Sequence, residues 1–254
     1  MVLRLCHLYP DLLNLYGDRG NILTLAHRAR ARGIAVEVTE VPVGRPLGDP
    51  RHYDLFFLGG GEDRQQALAA ADLAGEKGEA LRAAAADGAV VLAVCGGYQL
   101  LGHSYRPAEG PDLPGVGLLD VITHHPGPGA RRLIGNIVVR WEDGPHPRAT
   151  LVGFENHGGR TRLGPQARPL GRVVVGFGNN GEDRTEGAVQ GTVVGTYLHG
   201  PLLPKNAAFA DHLLARALAR RYGPVALAPL DDVVEEAAHR AAVRLAGAAR
   251  TWRR

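Results

Sequence analysis

The chain has 254 residues, 45% hydrophobic and 22% charged, with a formal net charge of +3. That length buries a sizeable core in one large domain or one domain with an appendage, and the composition is that of a globular rather than a disordered chain. No apolar run nears the roughly 20 residues that cross a bilayer, and residues 1–10 lack a small-residue cleavage site, so the expectation is a cytoplasmic chain without a transmembrane segment or signal peptide.

Residues 3–9 alternate as a first strand. A helix follows at about 21–31, with Ile22, Leu25, Ala26 and Ala29 on one face, and residues 35–41 form a second strand. Residues 54–58 are a short continuous apolar run ending in Gly59, Gly60 and Gly61, which suits a central strand buried on both faces. Residues 65–86 are helical with a break near 75–78, and residues 89–94 are another buried strand. This alternation predicts an α/β fold, a mostly parallel central sheet with flanking helices. Ligands of such sheets bind beyond the carboxyl ends of the strands, where both the glycine turn and Cys95 lie.

The second half reads differently. Residues 117–123, 133–141, 151–156, 172–177 and 191–198 are additional strands separated by Gly/Pro-rich turns, and 127–129 is the best candidate for a mobile loop. Helices return at 206–221 and at about 232–250, the latter with Val233, Val234, Ala237 and Ala241 on one face. A main domain over 1–222 and a C-terminal helical extension over 223–254 follow from this order.

The basic charge is mostly arginine, with lysine only at Lys77 and Lys205. No long basic stripe with interleaved aromatics marks a nucleic-acid binder, so no nucleic acid is expected. Two cysteines, Cys6 and Cys95, give no disulfide framework, and no His/Cys cluster has zinc spacing.

The two cysteines differ in setting. Cys6 lies inside a strand. Cys95 follows the buried run Val90-Val91-Leu92-Ala93-Val94 and precedes Gly96-Gly97, then an apolar helical start. That is the form of a nucleophile elbow, a sharp strand-to-helix turn whose neighbours, here Ala93 and Gly97, must be small. A following helix N-terminus favours a thiolate, and the Gly96 N–H is placed to serve an oxyanion hole. A cysteine nucleophile needs a base. His199 ends the apolar stretch from 191 and precedes Gly200-Pro201; His124, His125 and His157 compete with it.

Several stretches in order carry a resemblance: Cys95-Gly96-Gly97-Tyr98-Gln99, the glycines 59–61, Tyr197-Leu198-His199-Gly200, Leu13-Asn14-Leu15-Tyr16-Gly17-Asp18-Arg19-Gly20-Asn21, and Gly153-Phe154-Glu155-Asn156-His157-Gly158-Gly159-Arg160-Thr161. Together they resemble the cobyric-acid-synthase-like branch of class I glutamine amidotransferases, of flavodoxin-like fold, and within it the glutaminase subunits of lipid II isoglutaminyl synthase. The resemblance covers roughly residues 3–215. It implies that Cys95 attacks the glutamine amide and that His199 shuttles the proton. Backbone N–H groups of Gly60 or Gly61 and of Gly96 would hold the oxyanion, and Arg132 would grip the substrate.

Many class I amidotransferases carry a glutamate two residues after this histidine; here that position is Pro201. The branch that the chain resembles shares this feature. A Cys–His dyad, Glu155 as an in-chain acid, or a carboxylate from a partner would fill the gap. The resemblance further implies a Mur-ligase-like partner subunit (MurT) in a heterodimer. That partner would bring lipid II and convert its D-isoglutamate α-carboxylate to the amide. The chain has no phosphate-loop motif, so no cofactor is expected on it, with ATP and Mg on the partner. A cobyrinic-acid-type acceptor, or a catalytically silent scaffold of the same fold, is the alternative.

Overall fold

The structure, a computed structural model, describes residues 1–251. In chain order the elements are β1 (Val2–Leu8), α1 (Arg19–Arg30), β2 (Ala35–Val41), β3 (Leu55–Leu58), α2 (Asp63–Leu73), α3 (Glu76–Ala86), β4 (Val90–Val94) and α4 (Gly96–Leu101). The second half continues with β5 (Ser104–Arg106), β6 (Leu113–Pro114), β7 (Val121–His124), β8 (Leu133–Trp141), β9 (Thr150–His157), β10 (Arg160–Leu163), β11 (Gly171–Val175), β12 (Thr185–Glu186), β13 (Ala188–Gln190) and β14 (Val193–Thr196). Two long helices close the chain, α5 (Ala207–Tyr222) and α6 (Val233–Thr251).

The central sheet has six strands in the order β13-β14-β4-β3-β1-β2. All neighbours are parallel except the β13–β14 edge pair. The continuous apolar runs Leu55–Leu58 and Val90–Val94 are buried at every residue, as central strands covered on both faces must be. By contrast β2 alternates valine with Glu37, Thr39 and Glu40 and is largely exposed, a polar edge that discourages further pairing. The helix α1 buries Ile22, Leu25, Ala26 and Ala29, the face expected from the 3.6-residue period. The predicted helical region 65–86 is two helices, broken at Ala74 and Gly75.

Two four-stranded sheets follow, β10-β7-β5-β6 and β12-β11-β8-β9. Their shortest strands, β5, β6, β10 and β12, were not expected. They are two to four residues long with mixed polarity, too short for period-two alternation to show.

The C-terminal segment is tied to the rest at both ends. Arg28 of α1, almost fully buried, pairs with Asp211 and Asp232, while Arg32 pairs with Asp211 and donates to the Ala228 carbonyl. Ala242, Val243 and Ala246 of α6 pack on Val138 and Val152 of the β8–β9 pair. The apolar face read from the sequence is a different one: Val233 and Val234 are 66% and 76% exposed. The period was right, but the helix turns its alanine-rich side to the sheet, where small residues permit close approach.

Candidate active site

Cys95 sits between β4 and α4 with φ +51° and ψ −107°, a left-handed conformation rare for a residue with a side chain. Its N–H donates to the Thr196 carbonyl at 2.8 Å, which fastens the elbow to β14. The glycines around it are required by contact. A Cβ on Gly97 would lie 2.8 Å from Leu58 Cβ, and one on Gly96 would lie 2.9 Å from Gln66 Cδ and 3.0 Å from the Gly61 nitrogen. Gln66 lies beneath the elbow and donates to Gln99 at 2.6 Å, which in turn donates to the Tyr197 hydroxyl. Cys6 is buried in β1, and burial pushes its thiol far above the ordinary value.

His199 is fully buried. The strand before it ends at Thr196, two residues earlier than the predicted strand 191–198. A two-way backbone bridge with Phe154 holds His199 instead, with N–H to carbonyl distances of 2.9 and 3.2 Å. The β9 strand thereby sets the position of the imidazole.

The carboxylate beside this histidine is Asp18. Its Oδ1 lies 3.4 Å from His199 Nδ1, and its Oδ2 accepts from the Gly60 N–H at 2.7 Å. Glu155 is elsewhere: its two carboxylate oxygens accept from the backbone N–H groups of Phe177 and Gly178. It braces the turn after β11 and is not the acid next to His199. Of the three ways to fill the gap, a dyad alone, Glu155 or a partner carboxylate, none names Asp18, the in-chain carboxylate that stands at this histidine. Nothing local in the sequence marks Asp18; the only signal was its presence in the Leu13-to-Asn21 motif.

Cys95, His199 and Asp18 converge on Gly60. A Cβ there would stand 2.7 Å from His199 Cε1, 3.2 Å from Cys95 Cβ and 3.3 Å from Asp18 Oδ2. Burial opposes a charge on His199. The neighbouring Cys95 and the Asp18 carboxylate outweigh it, and the imidazole is pushed up to about 10. No hydrogen-bond partner takes its Nε2 among the described residues.

Cys95 opens on a cavity of about 550 Å³ lined also by Tyr16, Gly61, Glu62, Arg132, Asn156 and His157. The Gly60 N–H is taken by Asp18, so it is not free to bind an oxyanion, whereas no protein acceptor takes the Gly61 or Gly96 N–H among the described residues. Arg132 reaches the cavity from just before β8. Its Nε donates to Asn156 Oδ1 at 2.8 Å and its Nη2 to the Asn156 carbonyl at 2.9 Å.

Of the competing histidines, His157 is buried and stacked on Tyr197, with centroids 3.6 Å apart. Burial lowers it to about 3, and its Nδ1 must donate to the Gly159 carbonyl, so it is a neutral structural imidazole. His124 ends β7, and His125 accepts from the Gly127 N–H.

An elbow cysteine facing a buried, carboxylate-backed histidine at the carboxyl end of a parallel sheet equips a protein for thiol-dependent transfer chemistry. The chain belongs to the CobB/CobQ-like glutamine amidotransferase family, whose domain matches residues 4–207. It is 42% identical over 233 residues to the lipid II isoglutaminyl synthase (glutamine-hydrolyzing) subunit GatD of Staphylococcus aureus, covering 92% of this chain and 91% of that one. It is 41% identical over 235 residues to the subunit of the same name from Streptococcus pneumoniae, covering 92% and 88%. Among solved structures it resembles a glutamine amidotransferase from Thermotoga maritima, with TM-score 0.52 at 19% identity over 96% of this chain and 94% of that one, a likeness of fold.

Proposed function

We propose that this glutamine amidotransferase is the glutaminase half of a two-subunit enzyme that amidates lipid II, with residues 1–222 as the catalytic unit and 223–254 as an extension. The observation that carries the chemistry is the convergence of Cys95, His199 and Asp18 on Gly60, at the wall of the cavity that Arg132 lines.

Arg132 takes the α-carboxylate of glutamine, a match of charge and planar geometry. The Cys95 sulfur attacks the side-chain amide carbon, and the carbonyl oxygen gathers negative charge between the Gly61 and Gly96 N–H groups. His199 passes a proton to the amide nitrogen, the C–N bond breaks, ammonia leaves and a glutamyl thioester remains. His199 then takes a proton from water as it attacks the thioester; glutamate departs and the thiolate returns. Asp18 holds the imidazole with Nε2 toward the sulfur and stabilises its charged form.

Ammonia needs an activated acceptor. Support for lipid II comes from the relatives, both named as subunits of an enzyme acting on it. The expected partner is a Mur-ligase-like subunit that binds ATP and Mg, activates the D-isoglutamate α-carboxylate and receives ammonia in the cytoplasm. No helix among the described residues is long and apolar enough to cross a membrane.

The test is reconstitution with that ligase-like subunit, ATP, Mg and glutamine. Formation of D-isoglutamine in lipid II supports the reading. Amidation of a cobyrinic-acid-type acceptor with lipid II unchanged, or no glutamine use at all, contradicts it.

A further inference from the structure

Two motif residues at the site have no part in the chemistry described so far. Tyr16 holds φ +54° and ψ 24°, a conformation that disfavours a bulky side chain, and it is 46% exposed. Its ring stands edge-on to His199, with centroids 5.0 Å apart at 67°, and it also meets Phe154 at 5.8 Å. Fully buried His199 is thus screened from solvent on this side by a residue that itself faces solvent.

The Tyr16 hydroxyl accepts from the Asn156 side-chain amide. The other end of that amide accepts from Arg132 Nε, and the Asn156 carbonyl takes Arg132 Nη2. Asn156 therefore occupies one whole edge of the guanidinium, and the Nη1 end is left for a ligand. A continuous path of contacts runs His199, Tyr16, Asn156, Arg132.

We propose that Tyr16 and Asn156 are positioning residues that couple capture of the glutamine α-carboxylate at Arg132 to the alignment of His199. The asparagine fixes the plane of the guanidinium. The tyrosine hydroxyl fixes the asparagine, and the tyrosine ring keeps the imidazole in register and water away from it. A carboxylate drawn onto Arg132 tightens the same chain that ends on the proton carrier. The coupling rests on the glutaminase reading above, and its test separates the two.

Glutamate release is measured for the wild type, Cys95→Ser, Tyr16→Phe, Asn156→Ala, the Phe/Ala double variant and Tyr16→Gly, each with the partner subunit present. Glycine at position 16 accepts the positive φ, so that variant removes the ring without straining the turn. Tyr16→Phe and Asn156→Ala each raise KM for glutamine about fivefold, the effect expected of one hydrogen bond, and each also lower kcat about fivefold because the bound carboxylate no longer reaches His199 through the chain. The double variant shows no more than the larger single effect, because one chain has been cut twice. Tyr16→Gly adds a further loss of about tenfold in kcat beyond that of the Phe variant, because the ring is gone as well.

An unchanged KM or kcat in the single variants, multiplied effects in the double, or a kcat in Tyr16→Gly no lower than in Tyr16→Phe overturns the coupling. Calorimetric binding of glutamine to Cys95→Ser, with and without Asn156→Ala, reads the Arg132 arm without turnover; equal affinities overturn it there. A wild type no faster than Cys95→Ser faults the glutaminase reading instead.

Discussion

Asp18 and His199 stand 181 positions apart in sequence, yet the aspartate Oδ1 lies 3.4 Å from the imidazole Nδ1. The segment between β1 and α1 thus places a carboxylate beside this histidine, where the position two residues beyond it is Pro201. Asp18 is itself fixed by the Gly60 N–H, so the glycine turn after β3 orients the orienter.

Asp18→Asn is expected to lower kcat for glutamine hydrolysis by about 10²-fold or more, because an amide no longer selects the imidazole tautomer or stabilises its charge. The sign of the pH effect follows from His199. Its pKa is raised to about 10 in the fold, so the charged imidazole persists from acid pH until that value is passed. Wild-type activity should therefore hold through pH 9 and fall near pH 10. The variant loses one of the raising influences, and its alkaline limb moves down. A pH–rate profile of kcat/KM checks both; coincident limbs would remove Asp18 from the role.

Gly60→Ala probes the same convergence sterically. The added methyl would fall 2.7 Å from His199 Cε1 and 3.2 Å from Cys95 Cβ. Neither buried neighbour can yield without losing alignment. Overpacking at such a point costs about 1–3 kcal/mol. Glutamate release should fall at least about 10²-fold, a misalignment effect, in a chain that retains its circular dichroism spectrum. Near-normal turnover would show that the site is looser than the distances indicate.

Arg132→Ala should act on binding more than on chemistry. A guanidinium facing a carboxylate in a partly desolvated site contributes roughly 2–5 kcal/mol. KM for glutamine is expected to rise by about 30-fold or more with kcat much less affected. Arg132→Lys should recover little, since an ammonium cannot present a planar edge to Asn156 and to substrate together. Steady-state kinetics over a wide glutamine range distinguish these outcomes.

Glu186 gives a stability prediction independent of activity. It is fully buried; burial raises it to about 7, against hydrogen bonds from Thr196 and the Tyr197 N–H that favour its charge. A carboxyl raised in the fold binds its proton more tightly there than in the unfolded chain. Its contribution is fully present below about pH 4.5, the unfolded value, and is lost as pH rises through about 7. Glu186→Gln should therefore be more stable than wild type at pH 8, with the difference shrinking toward pH 5. Denaturant melts at the two pH values check the sign.

The sequence revealed most where a single segment carries its own signal. The buried runs before the glycine turn and before Cys95, the elbow glycines, and the helical period of α1 are all local patterns. Asp18 and Tyr16 were invisible as participants because their roles arise only when β1, β3 and β14 align and bring three loops together. The Gly60 N–H was a plausible oxyanion donor in sequence; only its contact with Asp18 removes it and leaves Gly61 and Gly96. The face of α6 was misread because alternative apolar stripes on an alanine-rich helix differ too little for periodicity to choose between them.

The central claim is that Cys95 is the nucleophile of a glutaminase. The most direct measurement is glutamate released from glutamine by the chain with its partner subunit, wild type against Cys95→Ser. A serine is a far weaker nucleophile in a site built for a thiolate, so release should fall by about 10³-fold or more while glutamine still binds. Equal rates in the two proteins would contradict the assignment.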